Sequence, residues 1–257
     1  MAEFISDGVP IVFDDLGPRD GRPALLVHGF SSNRNEAWKR TGWYAAFERR
    51  GQRVIALDLR GHGESGKPHE AEAYGRAKMV GDVLGLMDHL DLGRVDLIGY
   101  SMGAHLSLGL ALSHQDRLNH LILGGVGGRM FEPREEGPSM AEAMRADDPE
   151  SIGDPMLRSF RHFADEQGED RLALAACTEA VRSVPDRDDL FAISVPTLVA
   201  AGARDELAGD PHGLADAIRG AKAITLAGCD HFNAIPHALL KAAVFDFLDG
   251  YLDEPFG

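Results

Sequence analysis

Apolar residues recur along the chain in short, nearly unbroken runs: Ala24 to His28, Val54 to Leu59, Val95 to Gly99, His120 to Leu123, Thr197 to Ala201 and Ala223 to Leu226. Runs of this length, with little polar alternation, suit strands covered on both faces, as in a parallel sheet. Ahead of them, F-I-S-D-G-V-P-I-V-F sets two β-prone stretches either side of Asp7-Gly8. That pair suits a tight hairpin, so an antiparallel edge opens the sheet. Helix-length segments lie between the strands, at about Asn35 to Arg50, Tyr74 to Leu90, Met102 to Ser113, Gly213 to Arg219 and Pro236 to Leu252. In the second, Met79, Val80, Val83, Leu84, Leu86, Met87 and Leu90 recur at three- and four-residue steps, which gives one face for packing on the sheet. The alternation predicts an α/β fold: a doubly wound, mostly parallel β-sheet flanked by helices on both faces.

One region breaks the pattern. Gly128 to Asp189 holds no strand candidate, carries several helix-like pieces, and is punctuated by Pro133, Pro138, Pro149, Pro155 and Pro185. About sixty residues is too long for a structureless connection in a compact domain. The expectation is a small helical cap, 128–189, inserted into a core domain made of 1–127 and 190–257. Met130, Phe131, Met140, Met144, Met156, Phe160 and Phe163 are candidates either for an apolar pocket or for holding the cap helices together.

Composition narrows the function. Hydrophobic residues make up 44% and charged residues 26%, the balance of an ordinary globular protein. The formal charge of -15 repels phosphate backbones and anionic lipid surfaces alike, so neither nucleic acid nor stable membrane association is expected. Cys177 and Cys229 lie far apart and form no C-x-x-C pair, which suggests neither a disulfide framework nor a zinc site. The first residues carry no basic region and no apolar run of signal-peptide length, and no stretch approaches 18 apolar residues. A cytoplasmic location is the resulting expectation.

The chemistry concentrates in three places. Gly99-Tyr100-Ser101-Met102-Gly103 fits G-x-S-x-G between an apolar strand and a helical stretch, the strand-turn-helix setting of a nucleophile elbow. A serine hydroxyl is a poor nucleophile until a base takes its proton, and that base is usually a histidine held by a carboxylate. In chain order both should follow the serine, on loops after later strands. Asp205 in G-A-R-D-E and His231 in G-C-D-H-F stand there. Among rivals, Glu206 adjoins Asp205, and Asp230 should point a different way. His28 and His62 precede the serine and His105 lies within the nucleophile helix; for these, as for the remaining histidines, a surface or packing role suits better than catalysis. A tetrahedral intermediate also needs N–H donors. Met102 supplies one by position, and Phe30, in His28-Gly29-Phe30 after the strand A-L-L-V, is the choice for the other. Phe30, Tyr100, Met130 and Phe160 are the candidate pocket residues.

H-G-F at 28 to 30, D-L-R-G-H-G-E-S at 58 to 65, G-Y-S-M-G-A at 99 to 104, V-P-T-L-V-A-A-G-A-R-D at 195 to 205 and G-C-D-H-F at 228 to 232 resemble, in order, the landmarks of the α/β-hydrolase fold. The resemblance covers nearly the whole chain apart from the cap and implies a hydrolase with neither metal nor organic cofactor. It also implies that Arg60 to Ser65 is a structural loop. The serine sets the chain apart from members with an aspartate nucleophile. The leading expectation is hydrolysis of a small-molecule carboxylic ester bearing a small to medium acyl group. A carbon-carbon bond hydrolase, an enol-lactonase, a cofactor-free perhydrolase or an acyltransferase would show the same triad. A non-catalytic binding protein of this fold is the alternative of another class. Oligomeric state is left open.

Overall fold

The computed structural model describes residues 2–132, 139–180 and 184–252. These form an eight-stranded sheet of order β1-β2-β4-β3-β5-β6-β7-β8. The strands are β1 (Ala2–Ser6), β2 (Val9–Leu16), β3 (Pro23–Val27), β4 (Arg53–Leu57), β5 (Val95–Tyr100), β6 (Leu118–Gly124), β7 (Thr197–Gly202) and β8 (Lys222–Leu226). The expected hairpin opens the sheet, with Ser6 opposite Val9. Its two turn residues, Asp7 and Gly8, both have positive φ (47° and 78°), as a turn matched to strand twist requires. β2 pairs β4 antiparallel, and the pairings among β3 to β8 are all parallel.

Side chains alternate across the sheet with a period of two. Leu25, Val27, Ile55, Leu57, Leu97, Leu121 and Val199 pack on one face, against α2 (Arg76–His89) and α3 (Met102–His114). Ala24, Leu26, Ala56, Ile98, Ile122 and Leu198 pack on the other. That second face is covered by Trp43 and Phe47 of α1 (Trp43–Arg49) and, near the C-terminus, by the helix Ala238–Leu248.

The segment at 35–50 is not one helix. A π-helical turn, Asn35–Lys39, is separated from α1 by Gly42, whose φ of 85° ends one helical stretch and starts the next. Trp38 and Trp43, edge to face at 5.7 Å, can then both turn inward.

Between β6 and β7 the described chain is helical: α4 (Met140–Arg145), α5 (Pro155–Gln167), α6 (Arg171–Glu179) and α7 (Arg187–Phe191), with two short 3-10 turns at Gly128–Phe131 and Pro149–Ser151. Pro133 and Pro138 lie outside the described residues. Each of the first three helices has a side-chain cap on its otherwise unbonded N–H groups. Ser139 and Glu142 form a capping box on α4, Asp154 caps α5 ahead of Pro155, and Asp170 caps α6. Ala176, Cys177 and Ala180 join the main core below, while Leu174 and Ala175 pack with Met144 and Phe160 above. After β7 comes α8 (Pro211–Ala215), two residues earlier than the sequence pattern suggested. Asp210 caps it and Pro211, with φ preset for a helix, occupies its first turn. The last helix is α9 (Ala238–Leu248). No described helix is long and apolar enough to cross a membrane.

Candidate active site

Ser101 stands between β5 and α3 with φ 53° and ψ −116°, a conformation disfavoured for any residue with a side chain. The surrounding contacts hold it there. Ser101 N–H donates to the Gly124 carbonyl (2.8 Å), and the Ser101 carbonyl accepts from His105 N–H (3.1 Å). The flanking glycines are steric necessities. A Cβ on Gly99 would lie 2.4 Å from the Gly103 carbonyl oxygen, and one on Gly103 would lie 2.1 Å from that of Val27. Both obstacles are backbone atoms, which cannot swing aside. Gly103→Ala is therefore expected to cost about 3 kcal/mol or more, at or beyond the upper end for overpacking. A thermal melt followed by circular dichroism would show it; an unchanged midpoint would mean that the β3 loop has room to yield.

The His231 ring comes to this turn from the loop after β8. Its Nε2 is 3.0 Å from Ser101 Oγ, and its Nδ1 is 2.9 and 3.0 Å from the two carboxylate oxygens of Asp205. Asp205 is buried, and its Oδ1 also accepts from the N–H groups of Leu207 (3.1 Å) and Ala208 (2.9 Å), so the carboxylate has a fixed orientation. The acid and histidine loops are laced together: Arg204 N–H donates to the Cys229 carbonyl at 2.9 Å, and Gly202 lies so close to that carbonyl that a Cβ would be 2.4 Å from it. Asp230 caps its own turn by accepting from Phe232 and Asn233 N–H, and Glu206 is exposed. Hydroxyl, imidazole and carboxylate thus stand in series, an arrangement able to move a proton off the serine and return it to a leaving group.

Phe30 follows Gly29, where an added Cβ would lie 3.3 Å from Ser101 Cβ, so the loop after β3 passes close beside the serine. Met102, the first residue of α3, adjoins the serine directly. His28 anchors the loop from below: Nδ1–H donates to the Gly29 carbonyl (2.8 Å), and Nε2 accepts from Leu59 N–H (3.0 Å). Complete burial holds its imidazole below the usual pKa, in keeping with that neutral tautomer.

A cleft of about 690 Å³ opens above Ser101 and His231, within the range of small-molecule sites. Phe30, Met130 and Phe160 line it, as the sequence suggested, together with Met79, Met102, Met140 and Met156. Tyr100 does not. It shares the opposite face of the sheet with Ile98, and its hydroxyl donates to the His231 carbonyl at 2.6 Å. Burial pushes that phenol well above its usual pKa, so it remains a donor that steadies the histidine loop. The alternation of a strand explains the correction, since neighbours on β5 face opposite sides. His105, expected in a surface or packing role, lines the cleft one helical turn after Ser101, along with Arg76, Arg129 and Glu179. The i, i+4 spacing was the available signal. Among the described residues no group of His, Cys, Asp or Glu converges to hold a metal ion.

Comparison with known proteins gives the geometry its context. A family model described as the alpha/beta hydrolase fold matches residues 23–174. The 2-hydroxymuconate semialdehyde hydrolase of Pseudomonas sp. (strain CF600) is 31% identical over 96% of this chain and 93% of its own length. The 2-hydroxy-6-oxo-2,4-heptadienoate hydrolase of Pseudomonas putida is 37% identical, over 50% of this chain and 45% of that protein. Among solved structures, an enol-lactonase from Burkholderia xenovorans LB400 is similar with a TM-score of 0.80 and 26% identity, covering 96% of this chain and 100% of that one.

Proposed function

Because the chain belongs to the alpha/beta hydrolase fold family, we propose that it is a serine hydrolase cleaving small-molecule carboxylic esters of small to medium acyl groups. The observation that carries the reading is the unbroken series from Ser101 Oγ through His231 to Asp205, at 3.0 and 2.9 Å. Ser101 Oγ attacks the ester carbonyl while His231 Nε2 takes its proton, and Asp205 orients and stabilises the imidazolium. The N–H groups of Phe30 and Met102 hold the oxyanion of the tetrahedral intermediate. His231 then returns the proton to the departing alcohol and leaves an acyl group on Ser101. Water, activated by the same histidine, releases the acid. These steps call on neither a metal nor an organic cofactor. The helices between β6 and β7 act as a cap whose thioether and aromatic side chains receive the apolar part of the substrate. A cleft of about 690 Å³ suits a single small molecule rather than a polymer.

A second reading has its own support. The relatives include hydrolases named for the cleavage of 2-hydroxymuconate semialdehyde and of a dienoate, and the solved neighbour is an enol-lactonase. A carbon-carbon bond hydrolase or lactonase would use the same serine, base and acid. Hydrolysis of p-nitrophenyl esters from acetate to palmitate, set beside an enol-lactone and a 2-hydroxy-6-oxo-dienoate, separates the readings. Ester turnover with an optimum at short or medium chains supports the first. A folded protein inert on every ester but active on the dienoate or the lactone replaces it with the second. A preference for palmitate would contradict the pocket size.

A further inference from the structure

Glu169 is a buried carboxylate that the proposed chemistry does not use. It stands at the junction of α5 and α6, between Gly168, with φ 68°, and the cap residue Asp170. Its two oxygens reach two different loops of the sheet domain. Oε1 accepts from Asn33 Nδ2 at 3.0 Å, and Oε2 accepts from Gly63 N–H at 2.8 Å. Asn33 lies in the loop that begins with His28-Gly29-Phe30, and its own Oδ1 accepts from Glu36 N–H. Gly63 lies in the loop after β4, which is itself joined to the first by Asp58, acceptor from both Arg34 N–H (2.7 Å) and Glu64 N–H (2.8 Å).

The Phe30 ring sits among the same three elements. It packs against Phe160 of α5 at 6.0 Å and against His62 of the β4 loop at 5.8 Å. Glu169 therefore ties together the elements between which Phe30 is held. Burial raises the Glu169 carboxyl above its usual pKa, with Asp58 adding to the effect, while the two hydrogen bonds and Lys67 oppose it. A carboxyl buried at this junction carries a desolvation cost, which its two directed hydrogen bonds offset.

We propose that Glu169 is a positioning residue: through Asn33 and Gly63 it couples the docking of helices α5 and α6 to the placement of the Phe30 N–H in the oxyanion hole. The catalytic part of this proposal rests on the ester-hydrolase reading above. The bond pattern offers a direct test by exchange of partners. In Asn33→Asp the donor to Glu169 becomes a carboxylate. In Glu169→Gln one acceptor becomes an NH2 group facing the Asn33 donor. In the double variant that NH2 group meets the new carboxylate at 33, its oxygen still accepts from Gly63 N–H, and Glu36 N–H keeps its acceptor.

The test compares the wild type, both single variants and the double variant as full chains, by kcat and KM on p-nitrophenyl butyrate and by amide hydrogen exchange of residues 28–34. Each single variant is expected to lose on the order of tenfold in kcat with KM within about twofold, as for a misplaced catalytic group. Exchange in 28–34 should quicken in each, and the double variant should recover both. A second readout separates positioning from stability. A carboxyl with a raised folded pKa contributes stability that is present at low pH and lost as pH rises through that pKa. The melting temperature of Glu169→Gln should thus shift upward relative to wild type between about pH 4, near the unfolded glutamate value, and pH 8, even as kcat stays low. Unchanged exchange in Glu169→Gln, or a double variant worse than either single one, overturns the proposal. If no protein of the set turns over an ester, exchange still decides the coupling, and the ester reading fails by itself.

Discussion

Ser101→Ala is expected to lower kcat/KM on a p-nitrophenyl ester by roughly 10⁵ to 10⁶, while the melting temperature stays within a few degrees of wild type. The size follows from serine hydrolases in which removing the nucleophile abolishes the acyl-enzyme route and leaves only the contribution of binding and oxyanion donors. The stability expectation follows from the local geometry. Alanine keeps the Cβ, and the positive φ is imposed by the main-chain bonds of residue 101 to Gly124 and His105, which do not involve the hydroxyl. The two proteins would be compared under identical conditions, with a mechanism-based phosphonate to show which residue is phosphonylated in the wild type. Turnover within tenfold of wild type in the folded variant would remove Ser101 from the mechanism altogether.

The second large effect concerns orientation rather than attack. Asp205→Asn should reduce kcat by about 10⁴ with a small change in KM, the loss seen when a triad carboxylate becomes an amide. The amide oxygen, in the place of Oδ1, can go on accepting from Leu207 and Ala208 N–H, so the NH2 group takes the place of Oδ2, 2.9 Å from His231 Nδ1. The imidazole must then accept at Nδ1 and carry its proton on Nε2, the atom that needs to be free to take the serine proton. The charge that stabilises the imidazolium is lost as well. Glu206→Gln is the control: that side chain is exposed and makes no bond to the histidine, so kcat should change less than twofold. A strong loss in Glu206→Gln and a weak one in Asp205→Asn would exchange their roles.

Much of this was legible in the chain itself, for identifiable reasons. Strands buried on both faces leave nearly unbroken apolar runs, which is why β3 to β7 are legible to within a residue or two. The loops after β7 and β8 bring Asp205 and His231 to the serine because topology puts the ends of parallel strands at one edge of the sheet. Adjacency to Ser101 suggests the cleft for Tyr100, but the strand alternation turns it to the other face. His105, conversely, shares a helix face with Ser101 and lines the cleft. Glu169 left no local trace. Its partners are 136 and 106 positions away, and no periodicity encodes a contact of that range. The break at Gly42 left one trace, the five-residue spacing of Trp38 and Trp43, which a continuous helix could not turn to the same face.

The close approaches at Gly99 and Gly103 bear on how such a chain can drift. Both positions are barred to larger residues by neighbouring carbonyls, whether or not anything is ever hydrolysed at residue 101. A descendant that lost its serine would remain under selection to keep both glycines merely to fold. Of the five positions in the signature, then, two record ancestry and architecture. A genome search that scores all five alike would count retired enzymes among the working ones, and the residue to inspect first is the one in the middle.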